Sequence, residues 1–347
     1  MAQADRNPLY ERSSVVLQNA HICDTCEAIL QSLTSTPVLT IGTRGSPLAV
    51  KQAEEVRDRL VAINGLEPDA IAIRVIKTSG DIILDRPLSE VGGKGLFTKE
   101  IEVALAIGEI DIAVHSAKDV ATEIDPRFAL PAYLPREDVR DAFLSLIARS
   151  PDHLPEGAVI GSSSLRRRAQ MKRFRPDFRT VEFRGNVQTR LKKLADGVAD
   201  ATLLAMAGLN RLGEAHRVTH TLDVAHFPPA PAQGAIVIET RADDGAANRL
   251  VEVLDDADTR RRVEAERAFL KVLDGSCRTP IAALTTLEGD RLTLFGQILS
   301  PDGSEVYEDE IAGDADQGLD LGTKLGEKLL AAAGPDFIER LRQGQYG

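Results

Sequence analysis

The sequence predicts two α/β domains facing one cleft, followed by a small α+β domain. Three observations carry this. Short apolar runs alternate with amphipathic stretches from residue 38 to about residue 250, the mark of a largely parallel sheet. A strand-to-helix junction, Ile41-Gly42-Thr43-Arg44-Gly45-Ser46, is echoed by Ile160-Gly161-Ser162-Ser163-Ser164. In the same order, Gly108-Glu109-Ile110-Asp111 before an apolar run is echoed by Gly197-Val198-Ala199-Asp200 before Ala201-Thr202-Leu203-Leu204. A ligand held between two like halves is the expectation.

Taken in order, residues 1–37 are polar and read as a weakly ordered leader. Charged Asp5, Arg6, Glu11 and Arg12 leave no secretory signal there. His21, Cys23 and Cys26 form a pattern that suits a metal or a redox pair, but no second ligand pair accompanies it, so a plain thiol pair is expected and no metal. Order begins with a strand at Val38–Ile41. Ser46 as N-cap and Pro47 at the first helical position then open a helix with Val50, Ala53, Val56 and Leu60 on its buried face. Ile71–Ile76 is the next strand, 98–107 a helix, and Ile110–Val114 another strand. The expected division is a discontinuous first domain of 38–134 with 229–250, a second of 135–228, and a third of 251–347. In the third, a helix at 258–273 turns Val263, Phe269, Leu270 and Leu273 inward. Segments at 283–287, 291–299 and 304–311, parted by turn signals, form a three-stranded antiparallel meander, and a helix from 316 to 333 ends near Gly334-Pro335.

Composition narrows the function. Of 347 residues, 43% are hydrophobic and 27% charged, enough apolar material for packed cores. With 53 Asp+Glu against 42 Lys+Arg the chain carries −11, which argues against general nucleic-acid binding. No uncharged apolar run approaches the roughly 18–20 residues of a membrane span. Three cysteines are too few for a disulfide framework, so a reducing, cytoplasmic setting is expected.

Against that acidic background, Gly161–Lys193 holds eleven Lys/Arg and only two acids, Asp177 and Glu182. Arg166 and Arg167 stand at the first turn of a helix beside Ser162, Ser163 and Ser164, where free backbone N–H groups already favour anions. Arg184, Gly185, Asn186 and Arg190 add further donors. On the other half, Arg44 and Ser46 occupy the matching junction, while Ser116, Lys118 and Asp119 leave the end of a strand. For Asp119 the residues alone allow two roles: a salt-bridge partner, or a carboxylate stabilising positive charge on a reacting nitrogen. His115 reads as structural. Gly92-Gly93-Lys94-Gly95 fails the P-loop spacing and suits a lid carrying one cation. Cys277, in the loop Asp274–Pro280, is either a small buried cysteine or a thiol made nucleophilic by Arg278.

Six blocks carry a resemblance: Thr43–Ala49, Gly92–Phe97, His115–Asp119, Gly161–Arg167, Arg184–Asn186, and Glu266-Arg267 through Gly275–Pro280. In this order they resemble the porphobilinogen deaminase (hydroxymethylbilane synthase) family, from about Leu39 to about Ala333. The resemblance implies two domains like periplasmic binding proteins and a third bearing a cofactor cysteine. It implies head-to-tail joining of four porphobilinogen molecules with loss of ammonia, then hydrolytic release of the linear tetrapyrrole hydroxymethylbilane. It places a dipyrromethane cofactor on Cys277 through a thioether and the catalytic carboxylate on Asp119. Arg44, Ser46, Lys94, Ser116, Lys118, Ser162, Ser164, Arg166, Arg167, Arg184, Gly185 and Arg190 match positions that hold acetate and propionate groups, and Gln233 matches a further contact. A monomer in the cytoplasm, acting on a small molecule without nucleic acid or membrane, is the corresponding expectation. One residue departs from the family pattern: Ala232 stands where glycine usually precedes Gln233.

The surplus of cations then has a reason. Each pyrrole brings two carboxylates, and charge-assisted hydrogen bonds contribute roughly 1.5–3 kcal/mol each. Two other classes remain to be distinguished. A non-catalytic anion receptor would have no use for the third domain with Cys277. RNA binding through 161–193 would rest on Phe174, Phe178 and Phe183, too few and too irregular for a stacking platform.

Overall fold

Strand β1 (Leu39–Arg44) runs into a helix whose start was written in the sequence. Ser46 Oγ accepts from the Ala49 amide at 3.2 Å, Pro47 holds the first helical position, and the helix Pro47–Asn64 stops at Gly65 with φ of 62°. Its buried stripe is Ala49, Ala53, Val56 and Leu60, with Gln52 beside them. Val50, expected in that stripe, sits at its edge and is only half-buried. Fully burying a side chain such as Val56 or Leu60 stabilises the fold by about 1.5–3 kcal/mol. The computed structural model describes residues 37–82, 97–273 and 279–344. The leader with Cys23 and Cys26, the expected lid with Lys94, and the loop with Cys277 lie outside these described residues.

The first sheet adds β2 (Ile71–Ile76), β3 (Ile112–Ser116), β4 (Phe128–Tyr133) and, from far along the chain, the strand Ile236–Arg241. The second holds β5 (Asp141–Ser145), β6 (Val159–Gly161), β7 (Arg179–Val181), β8 (Ala201–Ala205) and β9 (His220–Thr221), so that Ile236–Arg241 is β10. Their orders are β2-β1-β3-β10-β4 and β7-β6-β8-β5-β9. In each, a central strand pairs in parallel with two neighbours, and an antiparallel strand follows. The chain crosses between the sheets twice, after β4 and before β10.

The internal echo is therefore structural. It extends to a detail: Asp111 Oδ2 accepts from the Thr40 amide and Asp200 Oδ2 from the Val159 amide, each at 2.7 Å. Each aspartate also returns its own N–H to the same residue's carbonyl, so both clamp the start of a central strand. This is why β3 begins at Ile112 and not at the expected Ile110: Asp111 is held by β1, and the Ile110 side chain fills the space where a Cβ on Gly42 would sit.

The third unit is the antiparallel meander β11 (Ile281–Glu288), β12 (Arg291–Leu299) and β13 (Val306–Asp314), covered by helices Ala257–Val272 and Gly318–Gln343. Phe269, Leu292, Leu294, Leu325 and Leu329 form its core. The expected stop at Gly334-Pro335 is a kink. Gly334 (φ 74°) ends one helix, and Pro335 starts another turn that seats Phe337 against Tyr307 at 4.8 Å. A Gly-Pro pair supplies both a left-handed stop and a first helical residue, so it is also a restart signal. Among the described residues, no helix is long and apolar enough to cross a membrane.

Candidate active site

Strands β1 and β3 lead to Arg44 and to Ser116–Asp119, and β6 and β7 lead to Ser162–Arg167 and to Arg184; the two sets face each other closely enough for Arg167 to act on Lys118 and Asp119 on Arg190. On the first wall, β1 delivers Arg44. Its guanidinium lies 4.1 Å over the Phe97 ring and 3.6 Å from Asp119 Oδ2. Asp119 comes from the single turn Ala117–Asp119 that follows β3. Next to it, Gln52 Nε2 donates to Ser116 Oγ at 2.9 Å, and that hydroxyl is placed to donate to Gln52 Oε1 at 3.2 Å. Arg44, Ser46, Ser116 and Asp119 line a cavity of about 60 Å³. His115 turns away from it: its Nε2 meets Glu239 Oε2 at 3.0 Å, both side chains buried, as a structural histidine should.

Lys118 leaves the same turn and donates to Gln233 Oε1 at 3.2 Å. Burial, with the like charge of Arg167 added, pushes its ammonium down to about 8. The group is cationic below that value and neutral above it. Because kcat/KM reports the free enzyme's ionisations, kcat/KM should fall as pH rises through about 8. Lys118→Arg should carry the charge past pH 9 and remove that limb; a pH–rate profile of both proteins checks it.

On the second wall, Ser162 Oγ accepts from the Ser164 amide at 3.2 Å, and Ser164 caps helix Leu165–Phe174 by accepting from the Arg167 amide at 3.4 Å. Arg166 and Arg167 are both buried, and both meet an internal carboxylate, Asp141, at 2.9 and 2.8 Å. The pair was expected to await an arriving anion; Asp141 is the first anion they meet. Burial alone would raise its carboxyl, but the two guanidiniums beside it, with bonds from Arg167 and Gln233, hold it far below the usual carboxylate range. Arg166 Nε remains buried with no partner. Arg190 donates to the Gly185 carbonyl at 2.9 Å, and burial with Arg167 and Arg184 nearby pushes its guanidinium down to about 10. Gly185 contributes through its backbone: φ is 120°, and a Cβ would lie 2.5 Å from Thr189 Cγ2. Arg184 is buried, and its carbonyl accepts from Lys193 Nζ at 3.0 Å.

Gln233 joins the walls. Fully buried on the second crossover, its Nε2 donates at 2.8 Å to both Val139 O and Asp141 Oδ1, while its Oε1 takes Lys118. It thus touches the charge cluster of each domain. Its neighbour Ala232 is held at φ 62°, in the left-handed region, where its amide donates to Glu266 Oε2 at 2.6 Å. Glu266, buried in the third unit, also takes both Arg136 nitrogens at 2.7 and 2.9 Å and the Thr285 amide at 2.8 Å. An L-residue in that conformation costs roughly 1–2 kcal/mol, and glycine's extra unfolded-state freedom offsets about 0.4–1 of it. Ala232→Gly should therefore raise stability by up to about 1.5 kcal/mol, read as a higher urea midpoint at unchanged slope.

Four residues of this frame were not anticipated as site residues: Gln52, Arg136, Asp141 and Glu266. Asp141 did leave a signal, since an aspartate opening the wholly apolar run Ala142-Phe143-Leu144 needs a buried cation.

Comparison with known proteins decides the family. The family model described as porphobilinogen deaminase, dipyromethane cofactor binding domain, matches residues 39–249, and that of the porphobilinogen deaminase C-terminal domain matches 260–331. The chain belongs to the porphobilinogen deaminase family. It is 58% identical over 301 residues to the porphobilinogen deaminase of Paracoccus denitrificans, covering 87% of this chain and 96% of that relative. It is 53% identical over 310 residues to that of Nitrobacter winogradskyi, covering 89% and 98%. A periplasmic substrate-binding protein of an ABC transporter from Coxiella burnetii aligns with 64% of this chain and 94% of its own, at 14% identity and a TM-score of 0.40. As a porphobilinogen deaminase the protein is a transferase of tetrapyrrole biosynthesis. It joins four porphobilinogen molecules head to tail on a dipyrromethane cofactor, releases ammonia, and frees hydroxymethylbilane by hydrolysis. The residues present fit such a cofactor. Among the described residues, no carboxylate lies within ion-pairing distance of Lys118 or Arg190, and Arg166 Nε has no partner, while a dipyrromethane brings four carboxylates.

Proposed function

We propose that Asp119 is the catalytic carboxylate, that Cys277 carries the dipyrromethane through a thioether, and that the cations of both walls hold its acid side chains and those of the growing chain. The observation that carries the reading is the position of Asp119. It is a carboxylate at the mouth of the strand-end cavity, 3.6 Å from Arg44, close enough to Lys118 and Arg190 to act on their charge. Arg44 fixes the orientation of that carboxylate. As ammonia leaves porphobilinogen, positive charge develops on the pyrrole, and Asp119 stabilises it without reorganising. Lys118, Arg184 and Arg190 hold ring carboxylates in register, with Ser46, Ser116, Ser162 and Ser164 shaping the turns around them. Lys94 adds a cation from the expected lid. When bound, the dipyrromethane supplies the terminal pyrrole to which each new unit is joined. Gln233 keeps the two walls in one register.

For Cys277, support comes from its flanks. Helix Ala257–Val272 brings the chain to it, and soon after Thr279 the Ala283 amide donates to Pro229 O at 3.1 Å, on the crossover that bears Gln233. The reading keeps the domain division of 38–134 with 229–250, 135–228 and 251–347, supported by the place of β10 in the first sheet. It also has the chain act as a cytoplasmic monomer without nucleic acid, the last supported by a net charge of −11.

Intact mass spectrometry tests the anchor. The purified protein should carry an increment matching a dipyrromethane, and Cys277→Ser should lack both the increment and turnover. An unmodified protein that still converts porphobilinogen to a linear product would refute it.

A further inference from the structure

Behind the Asp119 turn lies a second cavity, between the first domain and the third. Its volume is about 740 Å³, within the range of small-molecule pockets (roughly 300–1,000 Å³). Tyr133, Leu130 and Leu319 give it broad apolar walls, and Arg267, Lys271 and Glu264 supply its charge. Glu264 already has a cation, Arg260, at 3.2 Å, and Lys271 lies 3.8 Å from Glu123.

Arg267 differs from the other arginines packed between domains. Arg136 has Glu266, Arg166 and Arg167 have Asp141, and Arg260 has Asp255. Among the described residues, Arg267 has no carboxylate in ion-pairing distance. Its two terminal nitrogens donate to Val120 O at 3.2 Å and Ala121 O at 2.5 Å, the carbonyls directly after Asp119. Burial pushes its guanidinium below the ordinary arginine value, and the more distant Tyr133, Glu264 and Glu239 offset this only in part.

We propose that this cavity is a regulatory site for a small aromatic carboxylate, with Arg267 as its anion receptor. A carboxylate accepts two charge-assisted bonds from a guanidinium and is a stronger acceptor than a pair of neutral carbonyls. Arg267 would turn toward it, release Val120 and Ala121, and loosen the turn that holds Asp119. The apolar walls take the ring, and a guanidinium bonded only to neutral carbonyls selects the acid. Occupancy should lower kcat while leaving KM for porphobilinogen little changed. The effect on turnover rests on the role proposed for Asp119; the binding itself does not.

The test titrates 2-naphthoate into the purified holoenzyme and follows its fluorescence anisotropy. One saturable site is expected. Leu319→Glu should weaken it at least tenfold by placing a like charge at the rim; Leu319 is 60% exposed, so the fold and the basal rate should stand. Arg267→Gln should weaken it as much, and Arg267→Lys should restore part. Three results would overturn the proposal: no saturable binding, equal binding to Leu319→Glu, or equal binding of uncharged 2-naphthalenemethanol. Competition with porphobilinogen would also overturn it, because that would place the naphthoate in the catalytic cleft. If binding follows the expected pattern and kcat does not move, the receptor stands and the link to Asp119 fails.

Discussion

Asp119→Asn is expected to lower kcat by about 10²–10³-fold while the protein still folds and still acquires its cofactor. Asparagine keeps the shape of the side chain and an oxygen toward Arg44; only the negative charge goes. The side chain is 32% exposed and pairs at 3.6 Å, so its contribution to stability is at most that of a surface ion pair, up to about 1 kcal/mol. What the charge does do is face a pyrrole that turns cationic as ammonia departs. Such stabilisation exists only at the barrier, so kcat should fall and KM should move little. Steady-state kinetics together with intact mass separate this from a failure to load the cofactor. A rate close to wild type would strip Asp119 of its catalytic role.

The second large effect concerns stability. Asp141→Asn removes the one carboxylate that Arg166 and Arg167 share, and leaves two guanidiniums buried side by side. Breaking a buried pair by removing one partner costs about 3–5 kcal/mol. The loss should appear in urea unfolding as a lower midpoint at unchanged slope. A loss under about 1 kcal/mol would mean that the pair does not depend on Asp141. The sign of the pH dependence follows from its depressed carboxyl. The unfolded chain takes up the proton first, near pH 4, so Asp141 contributes its full stability above that and loses it as pH falls further. Asp141→Asn should flatten that part of the acid limb. The neighbouring cation also responds: without Asp141 the attraction that supports charge on Lys118 weakens, and its titration should move below 8.

Much of the frame was legible in the sequence because its signals are local. Ser46-Pro47 caps its helix within three residues, and a second helix starts where the serine run meets Arg166; the structure has both. The paired motifs ending in Asp111 and Asp200 announced two similar halves, and each aspartate clamps a central strand in the same way. The antiparallel meander followed from its turns. Gly334-Pro335 misled because one dipeptide suits both the end of a helix and the start of the next. The positive segment 161–193 showed its surplus of cations but not that Asp141, from another strand of the sheet, pairs with two of them.

What the sequence determined by itself is the order of strands and helices, the surplus of cations at two matching junctions, and a family pattern broken at Ala232. Which charges meet was decided only in three dimensions. Asp141 finds Arg167 across 26 positions, Lys118 finds Gln233 across 115, and Arg136 finds Glu266 across 130. Caps and hydrophobic periods act within a turn or two of chain, so they survive in the one-dimensional record. Burial, and with it the easier deprotonation of Lys118 and the lack of a paired carboxylate at Arg267, exists only once the chain has crossed twice between its sheets and laid the third unit against the crossings.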